Sequence, residues 1–134
     1  QMEALELVNY ADICISHGIS GFEFSNHCPV PILVVAQLSN KGNLIDASYT
    51  EKCIRGVSHH ENIVGFISQK CLNYEKALYF KPGIRLDKTM DDMDQQYSGL
   101  VEEGIDYYIV GRGIIESDDP VAELEQYNNV FWNN

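Results

Sequence analysis

Short apolar runs, each followed by polar residues and glycine, constrain the fold of this chain more than any other feature. The clearest one, Pro31–Leu38, is almost continuously apolar, which is typical of a strand buried on both faces. Four further runs of strand length cover residues 11–17, 62–67, 77–80 and 106–111. We therefore predict five β-strands.

Helical signals fall between these runs. Ser48–Glu51 has the pattern of a capping box, and apolar residues follow it at helical spacing. Asp119 and Pro120 supply an N-cap and a first-turn proline for a final helix with apolar residues Val121, Leu124, Tyr127 and Phe131. Residues 1–9 carry a further helical pattern. Buried strands that alternate with helices predict an α/β fold with a parallel sheet, in a single domain over residues 1–134.

The composition limits the classes of function. With 134 residues, 45% of them hydrophobic, the chain has enough apolar material for the core of one domain. Its net charge of -11 disfavours binding to DNA or RNA. No apolar run approaches the roughly 18 residues of a membrane span, and the first residues lack the basic and apolar regions of a secretory signal. We expect a cytoplasmic protein with no nucleic-acid or membrane partner.

Cysteine and histidine spacing predicts no metal site. The four cysteines form no C-x-x-C pair, which excludes a zinc ribbon or a thioredoxin-type motif. Most of them lie in or beside apolar segments, so we expect reduced thiols that pack as small hydrophobic side chains. No cysteine or carboxylate at ligand spacing accompanies His59 and His60, which we expect in a solvent-facing turn. His27 is expected in a loop.

In parallel β/α folds, ligands bind at the carboxyl ends of the strands. Gly111–Gly113 follows the last strand, and there backbone N–H groups and the Arg112 guanidinium suit an anion. A turn with one surface arginine is the alternative. The polar segment 82–97 follows the fourth strand and offers the side chains of Gln95 and Tyr97, unless it is a solvated loop.

Two other strand ends carry polar candidates. Ser39 follows the second strand and either contacts a polar ligand or caps its own turn. His17 ends the first strand and is a further candidate for the site.

Six segments of the chain occur in a distinctive order. They are Ala11-Asp12-Ile13 with His17-Gly18, Ala36 to Leu44, Gly65 to Ser68, Pro82 to Asp87, Gln95-Gln96-Tyr97, and Ile109 to Ile114. In this order they resemble the motifs of the orotidine 5′-monophosphate decarboxylase family, which also forms the C-terminal domain of animal UMP synthase. The tail from Tyr127 to Trp132 is similar to the family's closing helix. The resemblance covers nearly the whole chain.

The resemblance implies a fold and an activity. The family fold is a (β/α)8 barrel of roughly 250 residues, and the five predicted strands match its strands four to eight. We therefore expect a partial TIM barrel with some helices shortened. The family decarboxylates orotidylate (OMP) to UMP without a metal or an organic cofactor. Its catalytic lysine after strand two and its D-x-K-x-x-D segment after strand three have no counterpart here, so no catalytic residue is assigned.

The resemblance also implies two groups of ligand-binding residues. The nucleotide phosphate is expected to contact Gln95, Tyr97, Arg112 and the backbone of Gly111 and Gly113. The pyrimidine is expected to contact Ser39 and Gln95, and Pro82 is expected to line the pocket. Lys88–Asp91 has a K-x-x-D spacing but falls in the loop after strand seven, so it is not taken as catalytic.

The chain departs from the family pattern in several places. Gln37 replaces a glutamate, Lys81 replaces a threonine, and Asp94 replaces a glycine. A carboxylate at Asp94 would repel a phosphate unless it points to solvent. The connection between the first two strands is too short for a full helix, since residues 21–26 hold about one turn.

Two functions remain open from the sequence. The chain is either the C-terminal half of a decarboxylase whose catalytic residues are carried elsewhere, or a degenerate member that serves as a nucleotide-binding or structural component of a larger complex. A generic phosphate-binding α/β domain would have to match six motifs by accident. A half-barrel leaves both edges of its sheet unpaired, so we expect a homodimer or a larger assembly. The chain is a natural product, a fragment or the product of a decayed gene, and because it starts within a helical pattern we expect a fragment.

Overall fold

A computed structural model describes residues 6, 8–87, 96–99 and 101–132 of this chain. Its sheet has five parallel strands that lie side by side in chain order. They are β1 (Cys14–His17), β2 (Ile32–Val35), β3 (Ile63–Ile67), β4 (Leu78–Lys81) and β5 (Tyr107–Tyr108). The predicted α/β class and all five strands are confirmed. The paired segments are shorter than most of the apolar runs, β5 above all, because β5 pairs with β4 over two residues.

Three α-helices are described: α1 (Ala47–Val57), α2 (Arg112–Ile115) and α3 (Pro120–Phe131). Single 3-10 turns lie at Val8–Tyr10, Gly18–Ser20 and Glu23–His27. The last two occupy the β1–β2 connection, which therefore holds no full helix, as its length predicts. Most of the helix predicted over residues 1–9 lies outside the described residues. None of the described helices is long and apolar enough to cross a membrane.

The predicted N-cap is confirmed for α3 and is wrong for α1. Asp119 is the N-cap of α3, as expected, and its carboxylate accepts hydrogen bonds from the backbone N–H groups of Val121 and Ala122. The N-cap of α1 is Asp46 rather than Ser48. The Asp46 carboxylate accepts from the Tyr49 N–H at 2.8 Å and from the Ser48 hydroxyl at 2.8 Å, so the predicted cap instead supports the true one.

One face of the sheet packs against α1 and the 3-10 turns. The core of this layer consists of Val8, Cys28, Ile32, Val34, Ala36, Cys53, Val57, Phe66 and Tyr79. Two side chains of α1 bind the end of β2: the Thr50 hydroxyl donates to the Ala36 carbonyl at 3.0 Å, and the Tyr49 hydroxyl donates to that of Val35 at 3.0 Å. Burial raises the pKa of the Tyr49 phenol to about 12.

The other face, which we call the open face, packs against none of the described helices. Its residues lie in rows across the strands, since partners in register point the same way. One row is His17, Val35, Ile67, Phe80 and Tyr107, and the next is Ile15, Leu33, Gly65 and Leu78. The middle of the face is buried, whereas Ile15 is 55% exposed and Tyr107 is 45% exposed. The open face is therefore an apolar surface whose edges are exposed to solvent.

The histidine and cysteine predictions have separate outcomes. His60 was expected in a solvent-facing turn, which is wrong: its Nδ1 lies 2.8 Å from the hydroxyl oxygen of buried Ser25, and its ring lies 5.9 Å from that of Phe22. His59 is exposed, as expected. All four cysteines carry free thiols. Two are buried in the core and two pack against it, namely Cys28, Cys53, Cys14 and Cys71.

Candidate functional site

The carboxyl ends of β2 and β4 meet at Ser39 and Gly83. Gly83 has a φ of +75°, and a Cβ atom at this position would lie 2.8 Å from the Ser39 Cβ and 2.8 Å from the Gln96 carbonyl oxygen. Only glycine fits both the backbone conformation and the space. The Pro82-Gly83 turn thus brings the loop after β4 into contact with the loop after β2.

Residues 96–98 lie against these two loops. The Gln96 N–H donates to the Ser39 carbonyl at 2.8 Å, and the Ser98 N–H donates to the Gly83 carbonyl at 2.9 Å. In return, the Arg85 N–H donates to the Ser98 carbonyl at 3.0 Å. Tyr97 is therefore held by backbone hydrogen bonds on both sides, directly beside the predicted site residues Ser39 and Pro82.

Tyr97 also contacts the segment that follows β5. The Cζ atom of Arg112 lies 5.6 Å from the centroid of the Tyr97 ring, within the range of a cation–π contact. The Tyr97 hydroxyl oxygen is buried and has no hydrogen-bond partner among the described residues. The segment of residues 96–98 thus connects three sequence-predicted residues, namely Ser39, Tyr97 and Arg112.

A second guanidinium, which the sequence analysis missed, lies at the same ring. The Cζ atom of Arg85 is 5.6 Å from the Tyr97 centroid, and Arg85 is only 7% exposed. Its Nη1 lies 3.4 Å from a carboxylate oxygen of Glu116. Two of the three arginines in a chain of net charge -11 therefore converge on one tyrosine. The only signal available in the sequence was this scarcity of arginine.

The Gly111–Gly113 segment forms the start of α2. Gly111 is its N-cap, and a Cβ atom there would meet no atom within 4 Å. A Cβ atom on Gly113 would instead lie 2.2 Å from the hydroxyl oxygen of Tyr127. That hydroxyl accepts a hydrogen bond from the Leu86 N–H at 3.0 Å, so α3 joins the loops after β4 and β5. Gly111 leaves its backbone accessible, whereas Gly113 permits close packing.

Lys81 and Gln37, the two described departures from the family pattern, both have internal partners. The Lys81 side chain is 3% exposed and forms an ion pair with Glu102, whose backbone also bonds the Tyr108 hydroxyl. The side-chain oxygen of Gln37 accepts from the Gln69 N–H at 3.0 Å and so joins the ends of β2 and β3. Both replacements therefore hold loops at the carboxyl edge of the sheet.

The remaining candidates have mixed positions. His17 is exposed and lies in the edge strand, in a row of the open face. Gln95, Asp94 and Lys88–Asp91 lie outside the described residues. Within the described part of the chain, no group of three or more His, Cys, Asp or Glu side chains could hold a metal ion.

Comparison with known proteins identifies the lineage. Residues 5–127 match the family model described as Orotidine 5'-phosphate decarboxylase / HUMPS family. The chain is 33% identical over 147 residues to the orotidine 5'-phosphate decarboxylase of Debaryomyces hansenii, with 96% of this chain and 55% of that protein covered. It is 32% identical over 148 residues to the uridine 5'-monophosphate synthase of Caenorhabditis elegans, with 96% of this chain and 30% of that protein covered.

Solved structures support the same relationship at the level of the fold. The orotidine 5'-monophosphate decarboxylase of Sulfolobus solfataricus matches with a TM-score of 0.69 at 21% identity, covering 98% of this chain and 67% of that one. The enzyme from Metallosphaera sedula matches with a TM-score of 0.69 at 20% identity. The five-stranded sheet with its helices is thus a partial (β/α)8 barrel, as predicted. The chain spans about half the length, or less, of the curated relatives given above. It belongs to the orotidine 5'-phosphate decarboxylase / HUMPS family.

Proposed function

We propose that this chain binds a pyrimidine nucleoside monophosphate, OMP or UMP, and is the phosphate- and pyrimidine-binding half of a decarboxylase. Arg112, Tyr97 and the backbone of Gly111 and Gly113 would hold the phosphate, with Gln95. Ser39 and Gln95 would contact the pyrimidine edge, and Pro82 would line the pocket. A guanidinium binds a phosphate with two parallel hydrogen bonds, which suits Arg112 to this role.

One observation carries this proposal: Tyr97 contacts the Arg112 guanidinium while the residues on either side of Tyr97 bond the loops of Ser39 and Gly83. The two predicted ends of the nucleotide site are therefore parts of one connected unit. Positive charge in a chain of net charge -11 supports a specific anion more than a diffuse polyanion. We accordingly propose no nucleic-acid partner.

The reaction to which such a half-site would contribute is the conversion of OMP to UMP and CO2. The bond between the pyrimidine ring and the carboxylate carbon breaks, its electron pair stays on the ring carbon, and a proton then takes the place of CO2. None of the residues assigned above delivers that proton. We therefore propose that this chain alone is inactive and that a lysine and aspartates outside it complete the site.

Exposed apolar side chains on the open face favour a covering partner. Ile15, Leu78 and Tyr107 are all at least 40% exposed there, and a buried apolar area stabilises an assembly in proportion to its size. We propose a homodimer or a larger assembly, located in the cytoplasm. The second candidate function, a non-catalytic nucleotide-binding or structural component, is favoured by Lys81 and Gln37, which have structural partners where the family pattern has other residues.

Thermal unfolding with and without millimolar UMP tests binding. If UMP binds the folded state and not the unfolded state, the free energy of unfolding rises by about 2.7 kcal/mol when the UMP concentration is 100 times the Kd. Arg112→Ala is expected to lose this gain. Arg55→Ala is the matched control, because Arg55 is an exposed arginine whose ion pair with Glu51 lies on α1. A folded wild type with no UMP shift, or an Arg112→Ala variant with a full shift, would overturn the proposed site.

CO2 release from OMP separates the two candidate functions. The chain alone is expected to release none. Mixing it with the N-terminal part of the Debaryomyces hansenii relative, which we expect to carry the first three strands of the barrel, is expected to restore release if this chain is half of an enzyme. Nucleotide binding without restored release would favour the non-catalytic component.

A further inference from the structure

We infer that Arg85 is the positioning residue that fixes Tyr97 and Arg112 relative to each other, and so determines how strongly the site selects the phosphate of a nucleotide. This inference rests on the proposed function for its ligand. Its structural part concerns contacts among four residues: Arg85, Tyr97, Arg112 and Glu116.

These four residues form a closed cycle of contacts, which we call the arginine cycle. The Arg85 guanidinium makes a cation–π contact with the Tyr97 ring, and Arg112 contacts the same ring at the same 5.6 Å distance. The Glu116 N–H donates to the Arg112 carbonyl at 3.1 Å within the turn of α2. The Glu116 carboxylate closes the cycle on Arg85 at 3.4 Å. Arg85 therefore bridges the segment of Tyr97 and the far end of the turn that begins with Arg112.

Burial assigns the two arginines different tasks. Arg85 is 7% exposed, and its charge is paired with Glu116. An arginine in that position stabilises its surroundings but presents little surface to a ligand. Arg112 is half-buried, at the first position of α2. Arg112 is thus the more exposed of the two guanidiniums and the better placed to reach a phosphate, and Arg85 acts through it.

Chemistry explains why this position would need arginine. The planar guanidinium can stack on an aromatic ring while its edge pairs with a carboxylate. A lysine ammonium is a point charge, which cannot meet both demands in one plane. The backbone of Arg85 adds a third connection, since its N–H binds the carbonyl of Ser98, next to Tyr97. Shape as well as charge is therefore required at position 85.

The affinities for UMP and for uridine, measured by calorimetry on the full chain, test the inference. Their ratio isolates the contribution of the phosphate, because a general loss of folded protein lowers both affinities together. Arg85→Met is expected to lower the UMP affinity about tenfold and to leave the uridine affinity within about twofold. Arg85→Lys is expected not to restore the ratio. Arg55→Met, which removes the same charge from α1, is expected to leave it unchanged.

Three results would overturn the inference. Full rescue by Arg85→Lys would mean that long-range charge alone matters. An equal loss of UMP and uridine affinity would mean a general structural role. Additive effects of Arg85→Met and Glu116→Gln in the double variant would mean that Arg85 does not act through Glu116.

A ligand-free measurement decides the structural part even if wild type binds no UMP, the result that would overturn the proposed function. Amide hydrogen exchange by NMR reports the Ser98 and Glu116 N–H groups, which bond Gly83 and Arg112. Arg85→Met is expected to accelerate exchange at both by about tenfold. The Ala36 N–H, bonded to Ile67, is the control within the sheet. Acceleration at only one of the two sites, or equally at Ala36, would show that Arg85 does not couple them.

Discussion

The hydroxyl oxygen of Tyr127 occupies the space that a side chain at position 113 would need. Tyr127 is 3% exposed and holds the Leu86 N–H at 3.0 Å. Position 113 therefore requires glycine because Tyr127 of α3 packs against it. The requirement comes from packing and not from the backbone conformation. The turn that carries Arg112 is thus held in place by its packing against α3.

Gly113→Ala is expected to destabilise the fold by about 1–3 kcal/mol, the usual cost of overpacking. The new Cβ atom would lie 2.2 Å from the Tyr127 hydroxyl oxygen, so α3 or the turn must shift. Gly111→Ala is the control, because its Cβ atom would meet nothing within 4 Å; its effect is expected within about 0.5 kcal/mol. Urea unfolding of both variants measures the difference, and equal stabilities would contradict the packing argument.

Tyr97→Phe is expected to separate stability from binding. The Tyr97 hydroxyl is buried without a partner among the described residues, so its removal is expected to leave the free energy of unfolding unchanged or slightly raised. UMP affinity is expected to fall about tenfold or more, the value of one hydrogen bond to a charged group. Thermal unfolding and calorimetry on the same sample check both statements. A destabilised variant with normal affinity would reverse the assignment.

Lys81 and Glu102 are expected to respond unequally to substitution. Lys81→Met removes a charge that is 3% exposed and keeps its apolar stem, so the free energy of unfolding is expected to change by less than about 1 kcal/mol. Glu102→Gln leaves the buried ammonium without its counter-charge. Because Glu102 is partly exposed, the expected loss is about 1–3 kcal/mol rather than the larger cost of a fully buried pair. Denaturant titration measures the free energy of unfolding of both variants. A larger loss in Lys81→Met than in Glu102→Gln would contradict this account.

Tyr49 is expected to make stability fall with rising pH in the alkaline range. Burial raises its pKa from 10.0 to about 12 in the folded chain. Between these values the unfolded chain releases the proton while the folded chain retains it, so the free energy of unfolding decreases as pH rises through this window and is unaffected below it. The stability difference between wild type and Tyr49→Phe should shrink from pH 10 upward. Tyr10→Phe, at a residue 92% exposed, should show no such trend.

Asp119→Ala is expected to destabilise α3 by about 1 kcal/mol. Its carboxylate binds the backbone N–H groups of Val121 and Ala122 at 3.2 Å and 3.1 Å, the donors that a helix start leaves unsatisfied. Asp118→Ala removes the same charge from the preceding exposed residue and serves as control. Loss of helical circular dichroism signal at a lower temperature in Asp119→Ala alone is the expected result. Identical melting of both variants would count against the cap.

Strand positions were predictable because an apolar run needs only its own residues to be recognised. Their ends were not, since pairing with a neighbour decides them: the run over 106–111 has two residues in β5 because the ladder with β4 is that short. The start of α1 was misplaced for a similar reason. Asp46 and Ser48 are both good caps, and Thr50, which binds the carbonyl of Ala36, fixes the helix against β2 so that Asp46 comes first.

The candidate site divides in the same way. Tyr97 and Arg112 could be predicted because they fall in motifs that follow strands. Arg85 and Glu116 could not, because their contact joins residues 31 positions apart. Arg85 lies within the Pro82–Asp87 segment, but nothing in that segment indicates its partners. The close fit of Gly113 and Tyr127 is likewise a relationship between two elements, visible only when both are in place.

The order of the strands has a consequence for how this molecule is made. Among the described residues, neighbouring strands of the sheet are also neighbours in the chain, so each hydrogen-bonded ladder can form as soon as the next strand leaves the ribosome. Domains generally acquire structure from the N-terminus during synthesis. The segment of Arg112 and the helix that fixes it are the final described elements to emerge. A nascent chain would therefore assemble these strands progressively, and the segment of Arg112 would join them only after the described sheet has formed.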